Sequence, residues 1–165
     1  QDAKIKLRIL GGKRFNFNQG IRLTFDPRIH FDGMIGGAEK NNLPKGSKGL
    51  IFPVLWNEPF GLSIVESLYF GCPVFGTPYG SLTEIIHPSV GITSNSLSTL
   101  VEGVQHAGEF DTKTCHQYVM ENFTSTQMTV NYLKKYETVL SGQHLNDTEP
   151  ILTTIQTEKF LPFLP

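Results

Sequence analysis

Two glutamates eight positions apart, Glu58 and Glu66, flank the turn Pro59-Phe60-Gly61 and the apolar run that opens with Leu62, Ser63 and Ile64. Carboxylates accept hydrogen bonds from hydroxyl groups, and one carboxylate pairs well with two vicinal hydroxyls. Pro59 biases Glu58 toward extended backbone, so its carboxylate projects from a loop and not along a helix. Gly61 lets a ligand approach the main chain closely, and the first N–H groups of a helix opening after it form a site for an anion such as a diphosphate. Glu66, four residues past Leu62, lies ~6 Å up the helix axis at ~1.5 Å per residue. The spacing allows a sugar, a diphosphate and a ribose to be read in order along one element.

The elements that must position these groups follow from periodicity. Ile5, Leu7 and Ile9 alternate with Lys4, Lys6 and Arg8, the period of a strand with one wetter face, and Gly11-Gly12 ends it. Arg28 to Asp32 predicts a second strand ending at Gly33, with an irregular Asn- and Gly-rich loop between the two. Residues 37–47 predict a short helix broken before Pro44. The run GLIFPV predicts a fully buried parallel strand. Leu62 to Phe70 then predicts a helix with Leu62, Val65, Leu68 and Tyr69 on one face and Gly71 as the stop. Pro73–Thr77 and Val90–Thr93 are further strands, separated by a short helix through Ile86 capped by Ser81. Helices follow at about 96–108, 111–122 capped by Asp111, and 125–141 capped by Thr124. Strands alternating with helices predict an α/β fold with a Rossmann-like parallel sheet and flanking helices.

Other chemistries find little support. A net charge of −1 over 165 residues, with a pI near 6.6, gives no electrostatic reason for a nucleic-acid or anionic-membrane partner. The five histidines show no metal or triad spacing, and His30 within a strand is expected in the core. Lys13, Arg14, Lys45 and Lys48 lie in Gly-containing loops without a phosphate-loop motif. Cys72 and Cys115 predict reduced, buried thiols and a cytoplasmic protein. No apolar run is long enough for an integral membrane segment. Trp56, beside Asn57 in the Glu58 loop, is expected to pack, with lining of a sugar subsite as the alternative.

The segment EPFGLSIVE, preceded by LIFPV and followed by SLYFGCPVFGTPYGSLTEII, resembles the nucleotide-sugar-binding, C-terminal half of retaining glycosyltransferases of the GT-B fold. The closest group is the large fourth family, the glycosyl transferases group 1, which also resembles glycogen synthases. The resemblance covers roughly residues 4–140. It implies transfer of a hexose from a nucleotide diphosphate sugar with retention, with no cofactor and no bound metal. It places Glu58 at the sugar as the catalytic carboxylate and Glu66 at the ribose. The backbone N–H groups of Phe60, Gly61, Leu62 and Ser63 then face sugar and phosphate, while the side chains of Phe60 and Leu62 pack against the sheet. Gly33 and Met34, after the second strand, fall where the family contacts the base, or form a plain strand-end turn.

Five strands are counted, one fewer than a 3-2-1-4-5-6 order requires, and the absent one would lie between Ile5–Leu10 and Leu50–Val54. The chain therefore reads as an N-terminally truncated donor-binding domain over 1–142 and a tail over 143–165 whose apolar end has nothing to receive it. Its implied partners are the nucleotide-sugar donor, an N-terminal acceptor domain of the same parent protein, and a second copy of the chain through the exposed sheet. Alone it is expected to be inactive. The family's phosphate-clamping Arg and Lys cannot be assigned, and that role does not transfer to Lys13 and Arg14. A nucleotide-sugar epimerase on the same fold and a sugar-nucleotide-binding module without turnover are the alternatives.

Overall fold

The computed structural model describes residues 5–11, 25–152 and 155–165. The irregular loop expected after the first strand, with Lys13 and Arg14, lies outside them. Strand β1 (Leu7–Leu10) alternates half-buried and exposed residues, and β2 (Ile29–Gly33) runs parallel to it with Leu7 opposite Ile29 and Ile9 opposite Phe31. On the wetter face Arg8 lies opposite His30, and its guanidinium forms a two-pronged pair with Asp32 at 2.9 and 2.8 Å. Hydrogen bonding from Arg8 holds the Asp32 carboxyl below its ordinary range. His30 is exposed, not a core residue. Two residues before Asp32, it shares that face of the strand, and charged neighbours keep the face in water.

Helix α1 (Gly37–Asn42) is short and gives way to a 3-10 turn at Pro44–Gly46. Three further strands, β3 (Leu50–Phe52), β4 (Val74–Gly76) and β5 (Gly91–Thr93), form a second parallel sheet in the order β3-β4-β5. Among the described residues Leu7–Leu10 and Leu50–Phe52, the two strands expected to flank a gap, are not paired with each other. Between these strands come α2 (Leu62–Tyr69) and α3 (Leu82–Ile85), and after β5 come α4 (Leu97–Gln105), α5 (Thr112–Asn122) and α6 (Ser125–Leu140).

Central β4 is buried throughout and its alternating side chains divide the core. Val74 points into a cluster with Ile64, Leu68, Leu82, Cys115 and Val119, beneath α2 and α5. Phe75 points the other way, to Leu100 and Ala107 on the α4 side. Complete burial of side chains such as Ile64, Leu68 and Phe75 contributes roughly 1.5–3 kcal/mol each.

Three expectations about packing are corrected. Strand β3 is not fully buried: Ile51 is 42% exposed, because it shares a face with Phe75 while α4 sits over β4 and β5. The buried stripe of α2 is Ile64, Ser67 and Leu68, while Leu62 is 71% and Tyr69 46% exposed. Ser67 can lie inside because its hydroxyl donates to the carbonyl of Cys72 at 3.2 Å. Leu62, in the first turn, therefore faces outward. The apolar tail is also received: Phe163 packs against the Phe75–Leu100 cluster, and Leu164 exchanges backbone hydrogen bonds with Asn95 and Leu97.

Asp111 and Thr124 cap α5 and α6 by accepting from the N–H of Thr114 at 2.9 Å and Gln127 at 3.2 Å. Ser81 does not cap α3, since its hydroxyl donates to the carbonyl of Phe60 at 3.0 Å. Cys72 and Cys115 are buried free thiols. Among the described residues no helix is long and apolar enough to cross a membrane.

Candidate functional site

The Glu58 loop and the start of α2 form one hydrogen-bonded unit at the carboxyl ends of β3 and β4, where open α/β sheets bind ligands. Glu58 pairs with Gly80 in an isolated parallel bridge, and its carbonyl accepts from the N–H of Ser81 at 2.9 Å. Gly80, at φ 62°, packs so closely that a Cβ there would overlap N and O of Glu58. The Tyr79-Gly80-Ser81 turn thus fixes the backbone of Glu58 from below, and Ser81 fixes Phe60.

The Glu58 side chain is held as well. Trp56, 50% exposed, donates its indole N–H to Oε2 of Glu58 at 3.0 Å. Trp56 is therefore neither buried packing nor a free wall; it orients a carboxylate. Gly61 takes the left-handed conformation, φ 83°, as the residue preceding α2, and an added Cβ would stand 2.8 Å from Ile64 Cδ1 and 3.6 Å from Glu58 Cγ. No side chain caps α2, so the first N–H groups of Leu62 and Ser63 are left to whatever approaches this end. Phe60 is partly exposed and lies edge-on to Phe123 at 6.1 Å.

Glu66 projects from the second turn of α2, and both its oxygens accept from Lys40 Nζ of α1, at 2.7 and 2.8 Å. No motif marks Lys40; only the fold brings its ammonium to Glu66. Met34, at the end of β2, is 85% exposed, with its sulfur beside Gly11 at the end of β1. The structure therefore gathers Glu58, Phe60, Gly61, Leu62, Ser63 and Glu66 on one loop and helix, and leaves Met34 at the end of the other sheet. Among the described residues no group of three or more His, Cys, Asp or Glu side chains is arranged to hold a metal ion.

The C-terminal segment borders the same loop. Leu161 donates its N–H to the carbonyl of Leu55 at 2.8 Å, Asn57 Nδ2 donates to Gln156 Oε1 at 3.3 Å, and the Tyr79 hydroxyl donates to the carbonyl of Pro162. Nothing local in residues 155–165 signals this placement, apart from apolar residues that need cover.

Solved structures share the fold, among them the following two. AviGT4, a glycosyltransferase involved in avilamycin A biosynthesis, superposes with a TM-score of 0.59 at 20% identity, over 70% of this chain and 37% of its own. Sucrose-phosphate synthase from Thermosynechococcus elongatus gives a TM-score of 0.56 at 17% identity, over 72% of this chain and 32% of its own. The chain thus spans about a third of the length of each. A search of curated proteins finds no significant match. The family model for glycosyl transferases group 1 matches residues 1–117, which include both glutamates and the whole of α2, and the chain belongs to that family.

Proposed function

We propose that this chain is the donor-binding part of a retaining glycosyltransferase of the fourth family, which moves a hexose from a nucleotide diphosphate sugar to an acceptor held by another domain of the same parent protein. The observation that carries the reading is the pair of carboxylates bracketing the uncapped N-terminus of α2, Glu58 held in the loop before it and Glu66 on its second turn. In this assignment Glu58 contacts the sugar, the N–H groups of Leu62 and Ser63 receive the diphosphate, and Glu66 takes the ribose hydroxyls. Met34 approaches the base. As the donor bond breaks, charge builds on the departing diphosphate, and preorganised N–H dipoles stabilise it without reorganising.

The donor is the substrate, and no metal or other cofactor is required in this scheme. A cytoplasmic setting accompanies it, as does inactivity of the isolated chain. The test is calorimetry with UDP, GDP and ADP and their glucose or mannose conjugates. Glu66→Ala is expected to weaken binding of the preferred nucleoside diphosphate by roughly 1.5–3 kcal/mol, the range for hydrogen bonds to a charged group. Glu58→Ala is expected to leave that binding nearly intact and to depress turnover of the parent enzyme. Equal nucleotide losses for the two changes would refute the division of roles.

A further inference from the structure

We propose that Lys40 is an exchangeable cation of the donor site, paired with Glu66 in the structure and turned to the diphosphate when a nucleotide binds; the inference rests on the donor-site reading above. Three observations carry it. Lys40 Nζ contacts both Glu66 oxygens, at 2.7 and 2.8 Å, so it occupies the acceptor positions that two vicinal ribose hydroxyls need. Ribose and lysine therefore compete for one carboxylate. Both side chains are open to water, 41% and 46% exposed, and an exposed ion pair of this kind is weak enough to be exchanged.

The third observation is where the released ammonium would find itself. Glu66 lies one turn along α2 from the uncapped N-terminus, and it is the one charged residue of that helix. Displaced from Glu66, Lys40 keeps a flexible stem rooted on α1 and a compact charge suited to a phosphate. A diphosphate at the start of α2 is the nearest anion the proposed donor would supply. One residue thus carries two roles in sequence. It keeps the Glu66 carboxylate solvated by a partner before binding, and it adds positive charge beside a leaving group that needs it. Lys45 does not compete for this position, since its ammonium lies over the Phe70 ring at the far end of α2.

The exchange makes predictions of opposite sign for a nucleoside and its diphosphate. In the full 165-residue chain, Lys40→Met is expected to tighten binding of the matching nucleoside (uridine, guanosine or adenosine) by about two- to fivefold, because a weak competitor is removed. The same change is expected to weaken the nucleoside diphosphate by about tenfold or more, because a charge-assisted contact is lost. Lys40→Arg should keep diphosphate affinity within a few-fold, and circular dichroism should show both variants folded. NMR titration reads the weak nucleoside binding and calorimetry the diphosphate. Equal weakening of nucleoside and diphosphate would overturn the proposal and make Lys40 a positioning residue for Glu66. Unchanged affinities for both would overturn it outright. Failure of the unaltered chain to bind any of the three nucleoside diphosphates would instead overturn the donor-site reading and this proposal with it.

Discussion

The indole nitrogen of Trp56 lies 3.0 Å from Oε2 of Glu58 and donates a hydrogen bond to it. One carboxylate oxygen is thereby fixed. Trp56 is the sole tryptophan of the chain, so its emission reports on the immediate surroundings of Glu58. Binding of UDP-glucose, or of the sugar nucleotide that calorimetry selects, is expected to shift or quench that emission, and the nucleoside diphosphate alone to change it much less. Trp56→Phe keeps a ring and removes the donor. It is expected to lower turnover of the parent enzyme by an amount equivalent to ~0.5–1.5 kcal/mol, with little change in nucleotide affinity. A tryptophan response to the nucleotide that is unaltered by the sugar would place Glu58 away from the sugar.

A second prediction concerns the backbone under that carboxylate. Gly80 adopts φ 62° and its Cα faces the main chain of Glu58 without room for a methyl group. Gly80→Ala adds strain of about 1–2 kcal/mol for the left-handed conformation, and the overlap with Glu58 must be relieved by moving the loop. The expected outcome is a lower melting temperature together with loss of the sugar-dependent tryptophan signal. Gly108→Ala, where an added Cβ has open space, serves as the control and should leave that signal unchanged.

Local signals made the Glu58–Glu66 unit legible: a proline that fixes extended backbone, a glycine that permits a left-handed residue, and an apolar helix after them. That β1 and β3 would not pair with each other, as is so among the described residues, was also readable, because strand count and strand order constrain each other. What sequence could not supply were contacts between segments distant in the chain. Lys40 meets Glu66 across 26 positions and Gln156 meets Asn57 across 99, and neither lysine nor glutamine carries a pattern that names its partner. The outward direction of Leu62 was missed for a related reason. Its hydrophobicity argued for burial, whereas the stripe was set by Ile64 and Leu68, with Ser67 made tolerable inside by its bond to Cys72.

The two thiols give a pH prediction. Burial pushes Cys115 up to about 11 from 9.0, with the neighbouring Cys72 and Asp111 adding to the shift, and burial also raises Cys72. A thiol with a raised folded-state value stays protonated in the native chain where the unfolded chain ionises. Its contribution to stability is therefore full below about 9 and is lost as the pH rises toward about 11. Denaturant midpoints are expected to be flat from neutral pH to near 9 and to fall steeply beyond. Cys115→Ala should lower stability at neutral pH through a small cavity and should flatten the alkaline fall. An equally steep decline in that variant would assign the transition to other groups.

The last prediction follows from the divided sheet. Among the described residues β1 is paired only with β2, and β3 only with β4, so each presents a row of backbone N–H and C=O groups on its open side. Ile51 adds an exposed apolar side chain at the middle of β3. Such an edge is a template for another strand, and lysine on an edge is one of the devices that blocks pairing. Sedimentation of this chain is expected to show concentration-dependent dimers or larger species. Ile51→Lys is expected to move the distribution toward monomer without lowering the melting temperature by more than a degree or two, since the side chain is not part of the core. A monomer at all concentrations, with amide protons of Leu50–Phe52 protected from exchange, would mean that these groups are satisfied within one chain and that the edge is closed.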